Sequence, residues 1–251
     1  LLNHLSAKGK KKFGGNYCIP QNCFVAAIEV PFKQMYEPTS FLGFDLNKTP
    51  SQWLVFSNGV TIPMSEEMLA LTKEIKELNK ILSEKQKHVS ERTMKSKDRR
   101  KLRLKWKQLH NKERKLAKEV SLRIVSMAVN DNAAIILDSV KGGQSLGTFG
   151  QDHLIPTLQT LCENLGVPFY VVPCAFTSKK CSECGYVHDL NRQTVEDFKC
   201  IHCGHEEVSH FNAAKNIAHI GQELFEADVP YGNYARLKVQ TVIEKHGAKP
   251  A

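Results

Sequence analysis

The sequence predicts an α/β domain that carries a helical-hairpin insertion and a small four-cysteine zinc ribbon. Three observations predict it. Short apolar runs at Phe41–Leu46, Gln52–Ser57, Ala133–Asp138 and Val167–Pro173 read as strands. Between and after them, apolar residues recur at helical spacing. Late in the chain, Cys181, Cys184, Cys200 and Cys203 stand as two C-x2-C pairs fifteen residues apart. At 251 residues the chain is long enough for one main domain with smaller attachments.

Taken in order, Leu1–Phe24 opens with AKGKKKFGG, a basic glycine-lysine patch that reads as loop or linker, and Val25–Val30 is a short strand. Pro31 and Pro38 bracket a loop. FLGFDL and QWLVFS form two strands joined by a turn at Asn47–Ser51 and closed off by Asn58-Gly59. The period then changes. Ser65, after Pro63, predicts a helix start, and Met68, Leu71, Ile75, Leu78 and Leu82 step by three and four, as a heptad seam does. A polar break at Ser90–Lys97 follows. Leu102, Trp106, Leu109, Leu116 and Val120 then resume helical spacing to Val129. This predicts a helical hairpin with an apolar inner seam and a basic outer face.

AAIILD is a continuous apolar run ending in Asp138, as expected of a buried central strand. KGGQSLGTFG reads as a glycine-rich loop. His153–Leu165 forms a helix, with Leu154, Leu158, Leu161 and Leu165 on one face and Gly166 as its stop. VPFYVVP is a second buried strand and delivers the chain to the cysteines; FNAAKNIAHIGQEL is the helix after them. No internal repeat is visible, and Ala227–Ala251 reads as a basic tail.

Each C-x2-C is followed by a glycine, which makes a tight knuckle aiming two thiolates at one point. Two knuckles supply the closed tetrahedral sulfur shell of structural Zn²⁺. The segment has few large apolar residues, chiefly Tyr186, Leu190 and Phe198, so metal binding must supply most of its folding free energy. Two disulfides fit less well, because nothing marks a small secreted scaffold or a signal peptide. His202 and His205 read as exposed polar residues, since four cysteines fill the shell. Cys18, Cys23, Cys162 and Cys174 form no strong pairing pattern and read as reduced thiols, with Cys18 and Cys23 as ligands the alternative. Together with the lack of a membrane-length apolar run, this predicts a cytoplasmic setting and no membrane partner.

The formal net charge is +9, and it is unevenly placed. Between Lys73 and Glu119 there are 18 Lys and Arg against 7 Asp and Glu, so this segment alone exceeds the total. A stripe of that density, with Lys97, Arg99, Arg100, Arg103 and Lys107 at its centre, suits a phosphate backbone. The bland alternative is a solvated helix face. Two strands also end in or near a carboxylate, Asp45 and Asp138. Hard oxygen ligands at one sheet edge are what a Mg²⁺-dependent phosphodiesterase needs, although a strand-end aspartate is often only a turn or cap residue.

LGFDL, KSKDRRKLRLKWKQLHNKERKLA, AAIILD, FTSKKCSECG, FKCIHCG and FNAAKNI, in this order, resemble the C-terminal half of the TnpB proteins and type V CRISPR effectors. The resemblance runs from about Phe41 to Gly221 and is most specific at the four cysteines and the following NAAKNI helix. It implies an RNase H-like, RuvC-type nuclease domain with a zinc ribbon inserted before its last motif. It also implies a guide RNA and a double-stranded DNA target as partners. On this basis residues 1–40 are the end of an N-terminal guide- or nucleic-acid-binding domain or a linker. Residues 41–62 and 131–176 are two parts of the RuvC-like domain, and 63–130 is the basic hairpin within it. Residues 177–206 are the ribbon, 207–226 the last motif and helix, and 227–251 the tail. The chain begins at Leu1, which reads as a piece of a longer protein.

Carried over by position, the three catalytic sites of the family fall on Asp45, Asp138 and His210. The family has glutamate at the second and aspartate at the third, and an arginine where this chain has Glu196. Asp138 shortens the reach by one methylene, His210 replaces an anionic oxygen by an imidazole, and Glu196 reverses a charge. Other RuvC-like nucleases use a histidine at the last motif; as a bland alternative, His210 makes a surface hydrogen bond. The resulting expectation is an RNA-guided DNA-binding protein with a structural Zn²⁺ that cleaves poorly or not at all. Its rivals are an active Asp-Asp-His endonuclease using Mg²⁺ or Mn²⁺, and a zinc-ribbon nucleic-acid adaptor without guide RNA.

Overall fold

The computed structural model describes residues 14–18, 23–27, 34–87, 96–138 and 151–233. The chain divides into two units, residues 1–34 and 35–251. In the first, β1 (Gly14–Cys18) and β2 (Cys23–Ala27) pair antiparallel from Gly14↔Ala27 to Cys18↔Cys23. This corrects the loop reading of Leu1–Phe24. Gly14 and Gly15 looked like breakers, but ladder hydrogen bonds need only the backbone. The register partners Tyr17 and Phe24 were the strand signal within that stretch.

The second unit is built on one six-stranded sheet. Its strands are β3 (Ser40–Leu46), β4 (Leu54–Phe56), β5 (Thr61–Ile62), β6 (Ala133–Asp138), β7 (Phe169–Val172) and β10 (Gly232–Asn233), in the order β10-β7-β6-β3-β4-β5. The first three form an antiparallel meander, whereas β3, β6, β7 and β10 run parallel. A 3-10 turn at Pro50–Gln52 makes the β3–β4 corner. The edge strands β5 and β10 are two residues each, too short to leave a periodic trace in the sequence. β10 lies inside what read as a plain basic tail; Tyr170 Oη beneath it donates to the Val229 carbonyl at 2.6 Å.

Among the described residues, four helices cover the sheet: α1 (Glu66–Lys87), α2 (Ser96–Asn130), α3 (Gln151–Leu165) and α4 (Ser209–Glu226). Ser65 does start α1, since its Oγ accepts from the Met68 amide at 3.2 Å. The glycine-rich stretch KGGQSLGTFG, read as a loop, lies outside the described residues.

Alternation along the strands divides the core into two layers. Leu42, Phe44, Ile135, Leu137, Phe169 and Val171 face α1, α2 and α3, joining Leu71, Leu78, Leu109, Leu116, Ile124, Leu154 and Leu158. Ala134, Ile136, Tyr170 and Val172 face α4, joining Ile217, Ile220 and Leu224. Removing any of the fully buried leucines to alanine costs about 2–5 kcal/mol. Gly43 explains how closely α4 lies on β3. A Cβ there would stand 2.4 Å from the Ala214 carbonyl oxygen and 2.5 Å from the Ala218 amide. No residue but glycine fits without moving backbone.

Trp106 departs from the expected inner seam of α2. It is 43% exposed, unlike Leu109 at 4%, and its ring lies 4.0 Å from that of His110. The spacing of an aromatic residue cannot by itself separate seam from groove wall.

Candidate functional site

The same alternation positions the carboxylates. Leu42, Phe44 and Leu46 point into the three-helix layer, so Asp45 points to the α4 side. On β6, Ala134 and Ile136 point to the α4 side, and Asp138 continues that row. Phe44 pairs with Leu137 in the parallel ladder, which makes Asp45 and Asp138 the next residues on neighbouring strands, both at the carboxyl edge of the sheet. The first turn of α4 starts over the same edge. His210 is buried there, at 4% exposure, and its Nδ1 donates to Asp45 Oδ2 at 2.9 Å. The reading of His210 as a surface hydrogen-bonder is therefore corrected. Its Nε2 is buried with no hydrogen-bond partner.

Burial pushes the Asp138 carboxyl well above the usual carboxylate range, and the neighbouring Asp45 pushes it further. A hydrogen bond with the Thr177 side chain pulls the other way. Among the described residues, two groups of three or more His, Cys, Asp or Glu bring one ligand atom each within 4.8 Å of one another, and Asp45, Asp138 and His210 are not one of them. Glu196 is exposed on the ribbon. Its backbone carbonyl accepts from the Ser209 amide at 2.7 Å, which ties the ribbon to the start of α4.

The four cysteines do converge. Cys181 and Cys203 are 3.7 Å apart at sulfur, Cys184 and Cys200 3.6 Å, and all four sulfurs lie within 4.8 Å. A tetrahedral ion with ~2.3 Å metal–sulfur bonds needs sulfur–sulfur edges of ~3.8 Å, so the cluster fits a metal shell, and the cysteines are not disulfides. The knuckle turns are closed by Gly185 N–H to the Cys181 carbonyl and Gly204 N–H to the Cys200 carbonyl, both 2.9 Å. These glycines have φ of +74° and +76°, which side-chain-bearing residues rarely adopt. Burial opposes ionisation of Cys200, but the amides of Cys203 and His202 and the nearby thiols outweigh it and bring its pKa down to about 6. Four cysteines so placed could bind a metal.

The ribbon strands are β8 (Asp197–Lys199) and β9 (Glu206–Val208), which pair antiparallel. Phe198 is the buried apolar residue here at 2% exposure, whereas Leu190 is 62% exposed. His202 is exposed and stacks on Tyr186 at 5.1 Å. His205 corrects its reading as exposed: it is partly buried beside Phe198, with Nε2 3.5 Å from Glu207 Oε2.

Sequence reasoning missed three positioning residues. Asn212 Oδ1 accepts from the Ser182 amide at 2.9 Å, and its Nδ2 donates to the Lys180 carbonyl at 2.8 Å. One turn on, Asn216 donates to the carbonyls of Thr177 and Lys180 at 2.9 and 2.7 Å. The NAAKNI motif thus clamps the first knuckle to α4. Asn191 joins the two knuckles, donating to the Lys179 and Tyr186 carbonyls and accepting from the Ile201 amide. A pair of asparagines four apart on an otherwise apolar helix face was the available signal for the first two. Nothing local marked Asn191.

On α2, Arg100, Arg103 and Lys107 are exposed, and the side chains of Lys97 and Arg99 lie outside the described residues. Arg103, Lys107 and Arg114 line one groove of about 590 Å³ with Leu82, Trp106 and His110. Steps of four and seven put the three cations on one helix face. Arg114 was not singled out from the sequence. Among the described residues, no helix is long and apolar enough to cross a membrane.

Residues 153–217 match the family described as the Cas12f1-like TNB domain. Over 101 residues the chain is 33% identical to the CRISPR-associated endodeoxyribonuclease Cas12f1 of Sulfoacidibacillus thermotolerans, a match covering 38% of this chain and 24% of that protein. Two solved structures share the fold. A cryo-EM structure of a Cas12f1–sgRNA–target DNA complex aligns with TM-score 0.58 at 16% identity, covering 82% of this chain and 44% of that one. A CRISPR-Cas12f ternary complex aligns with TM-score 0.54 at 18% identity, covering 78% and 41%. The chain therefore spans about a quarter of the curated relative and less than half of either solved chain. Among the described residues, the mixed α/β sheet and its four helices have the fold of these Cas12f chains, and the cysteine cluster is compatible with a zinc ribbon. Over the stretches matched in sequence the chain is similar to the type V effector family.

Proposed function

We propose that this chain is the RNase H-like, RuvC-type part of an RNA-guided DNA-targeting protein, and that its carboxylate edge holds DNA while cleaving poorly or not at all. The antiparallel β3-β4-β5 meander continued by parallel β6 and β7 supports the RNase H-like reading. A Zn²⁺ held by Cys181, Cys184, Cys200 and Cys203 folds the ribbon, supported by sulfur spacings near those of a tetrahedral shell. The partners are a guide RNA and a double-stranded DNA target, recognised as a heteroduplex by shape and backbone. The exposed face of Arg103, Lys107 and Arg114 suits its phosphates.

The observation that carries the weak-cleavage reading is the 2.9 Å His210–Asp45 contact. Two-ion phosphodiester hydrolysis needs divalent cations about 4 Å apart between anionic oxygens. Here one oxygen of Asp45 already accepts an N–H, and burial and the neighbouring Asp45 raise the Asp138 pKa above the usual carboxylate range. Two carboxylates and an imidazole match a pair of Mg²⁺ ions less well than three carboxylates do. An active Asp-Asp-His endonuclease is the second reading, favoured by the convergence of Asp45 and His210 at one sheet edge. A cleavage assay on a guide-matched duplex, with binding measured alongside, separates the two readings. Binding with little product supports the first, and efficient Mg²⁺-dependent cutting supports the second.

A further inference from the structure

The second convergent group among the described residues lies far along the chain from the cysteines, between α2 and α3. His110 and Glu113 stand one turn apart on α2, and His153 faces them from the first turn of α3. His110 Nδ1 is 2.9 Å from Glu113 Oε2 and 3.3 Å from His153 Nε2, and His153 Nε2 is 3.5 Å from the same Glu113 oxygen. The three atoms form a compact triangle whose shortest edge is a direct His110–Glu113 ion-pair contact. Metal–nitrogen and metal–oxygen bonds of ~2.0–2.1 Å at the tetrahedral angle need ligand–ligand edges of ~3.3–3.4 Å, which the observed edges straddle.

We propose that His110, Glu113 and His153 form a second metal site, one that takes a zinc-class divalent cation and fastens α2 to α3. Two imidazoles and one carboxylate are a borderline donor set, suited to Zn²⁺, Co²⁺ or Ni²⁺ rather than to Mg²⁺ or Ca²⁺. The side chains are 18%, 12% and 19% exposed, sheltered enough to hold an ion and open enough for a water at a fourth position. His110 also lines the basic groove beside Arg103, Lys107 and Arg114. A divalent ion on one carboxylate leaves a net positive site, which adds to that groove. The helix facing the groove would then be fixed to the sheet through α3, whose Leu154 and Leu158 are fully buried.

The test is metal counting on the full chain, dialysed against ZnCl₂ and then against metal-free buffer. Wild type should retain two zinc per chain. His153→Asn and Glu113→Gln should each retain one, and with Co²⁺ in place of zinc both should keep the sulfur-to-cobalt charge-transfer band of the cysteine site. Circular dichroism of Glu113→Gln, the near-isosteric change, serves as the check on folding. One zinc in the wild type, or two in a folded Glu113→Gln protein, overturns the proposal.

Discussion

His210 Nδ1 lies 2.9 Å from Asp45 Oδ2, joining the first turn of α4 to the end of β3 across 165 residues of chain. Both side chains are mostly buried, at 5% and 17% exposure. His210→Ala should therefore lower stability by about 1–3 kcal/mol, because a buried carboxylate loses its donor. Urea unfolding of the two proteins measures this. A variant as stable as wild type would mean that the contact is incidental.

The glycine beneath α4 gives a second prediction. Gly43→Ala places a methyl group 2.4 Å from a backbone oxygen of α4, which cannot rotate away. The helix must shift, at a cost of about 1–3 kcal/mol, and the Asp45–His210 contact should loosen with it. The drop in Tm is read by calorimetry, and the contact through the His210 ring shifts in NMR. Unchanged His210 resonances would contradict the close-approach argument.

Asp138 provides a pH dependence. Its folded-state pKa is raised, by burial first and by Asp45 second, so the native state holds a proton more tightly than the unfolded state. Stability on this account falls as pH rises from the ordinary carboxylate value through the raised one. Asp138→Asn removes that loss, so its Tm gain over wild type should be larger at pH 8 than at pH 4. An equal gain at both would mean that the carboxylate is not held off its normal range.

The basic face is tested by salt. Replacing Arg103, Lys107 and Arg114 together by glutamine should weaken duplex binding and flatten the slope of log affinity against log salt by about 2–3. The check is a fluorescence titration across salt concentrations. A slope equal to wild type would leave this face merely solvated.

The strands and helices that carry long periodic runs were legible in the sequence. AAIILD reads as a buried strand because both of its faces are covered, and the α1 seam reads as a helix because Met68, Leu71 and Leu78 are buried at heptad spacing. The four cysteines were legible because paired C-x2-C spacing is that of a metal-binding knuckle. What escaped had no local signal. Strands of two residues, β5 and β10, are paired by their neighbours. The glycines at 14 and 15 enter a hairpin through the backbone alone. At the candidate site, Asp45 and Asp138 followed from strand ends, whereas the place of His210 beside them followed only from the resemblance. Hydrogen bonding across 165 residues is set by how closely Gly43 lets α4 approach, which no short window encodes. The His110–Glu113–His153 group escaped for the same reason, since one of its members comes from a different helix.

The most direct test of the weak-cleavage account is a side-by-side cleavage assay on a guide-matched DNA duplex. It compares wild type, Asp45→Ala, and the double variant His210→Asp with Asp138→Glu, each in Mg²⁺ and in Mn²⁺, with binding measured in parallel. Wild type should bind the duplex while giving little or no product in Mg²⁺, and the double variant should cut at least tenfold faster, a gain equivalent to about 1.4 kcal/mol of transition-state stabilisation. Efficient Mg²⁺-dependent cutting by wild type, abolished in Asp45→Ala, would contradict it.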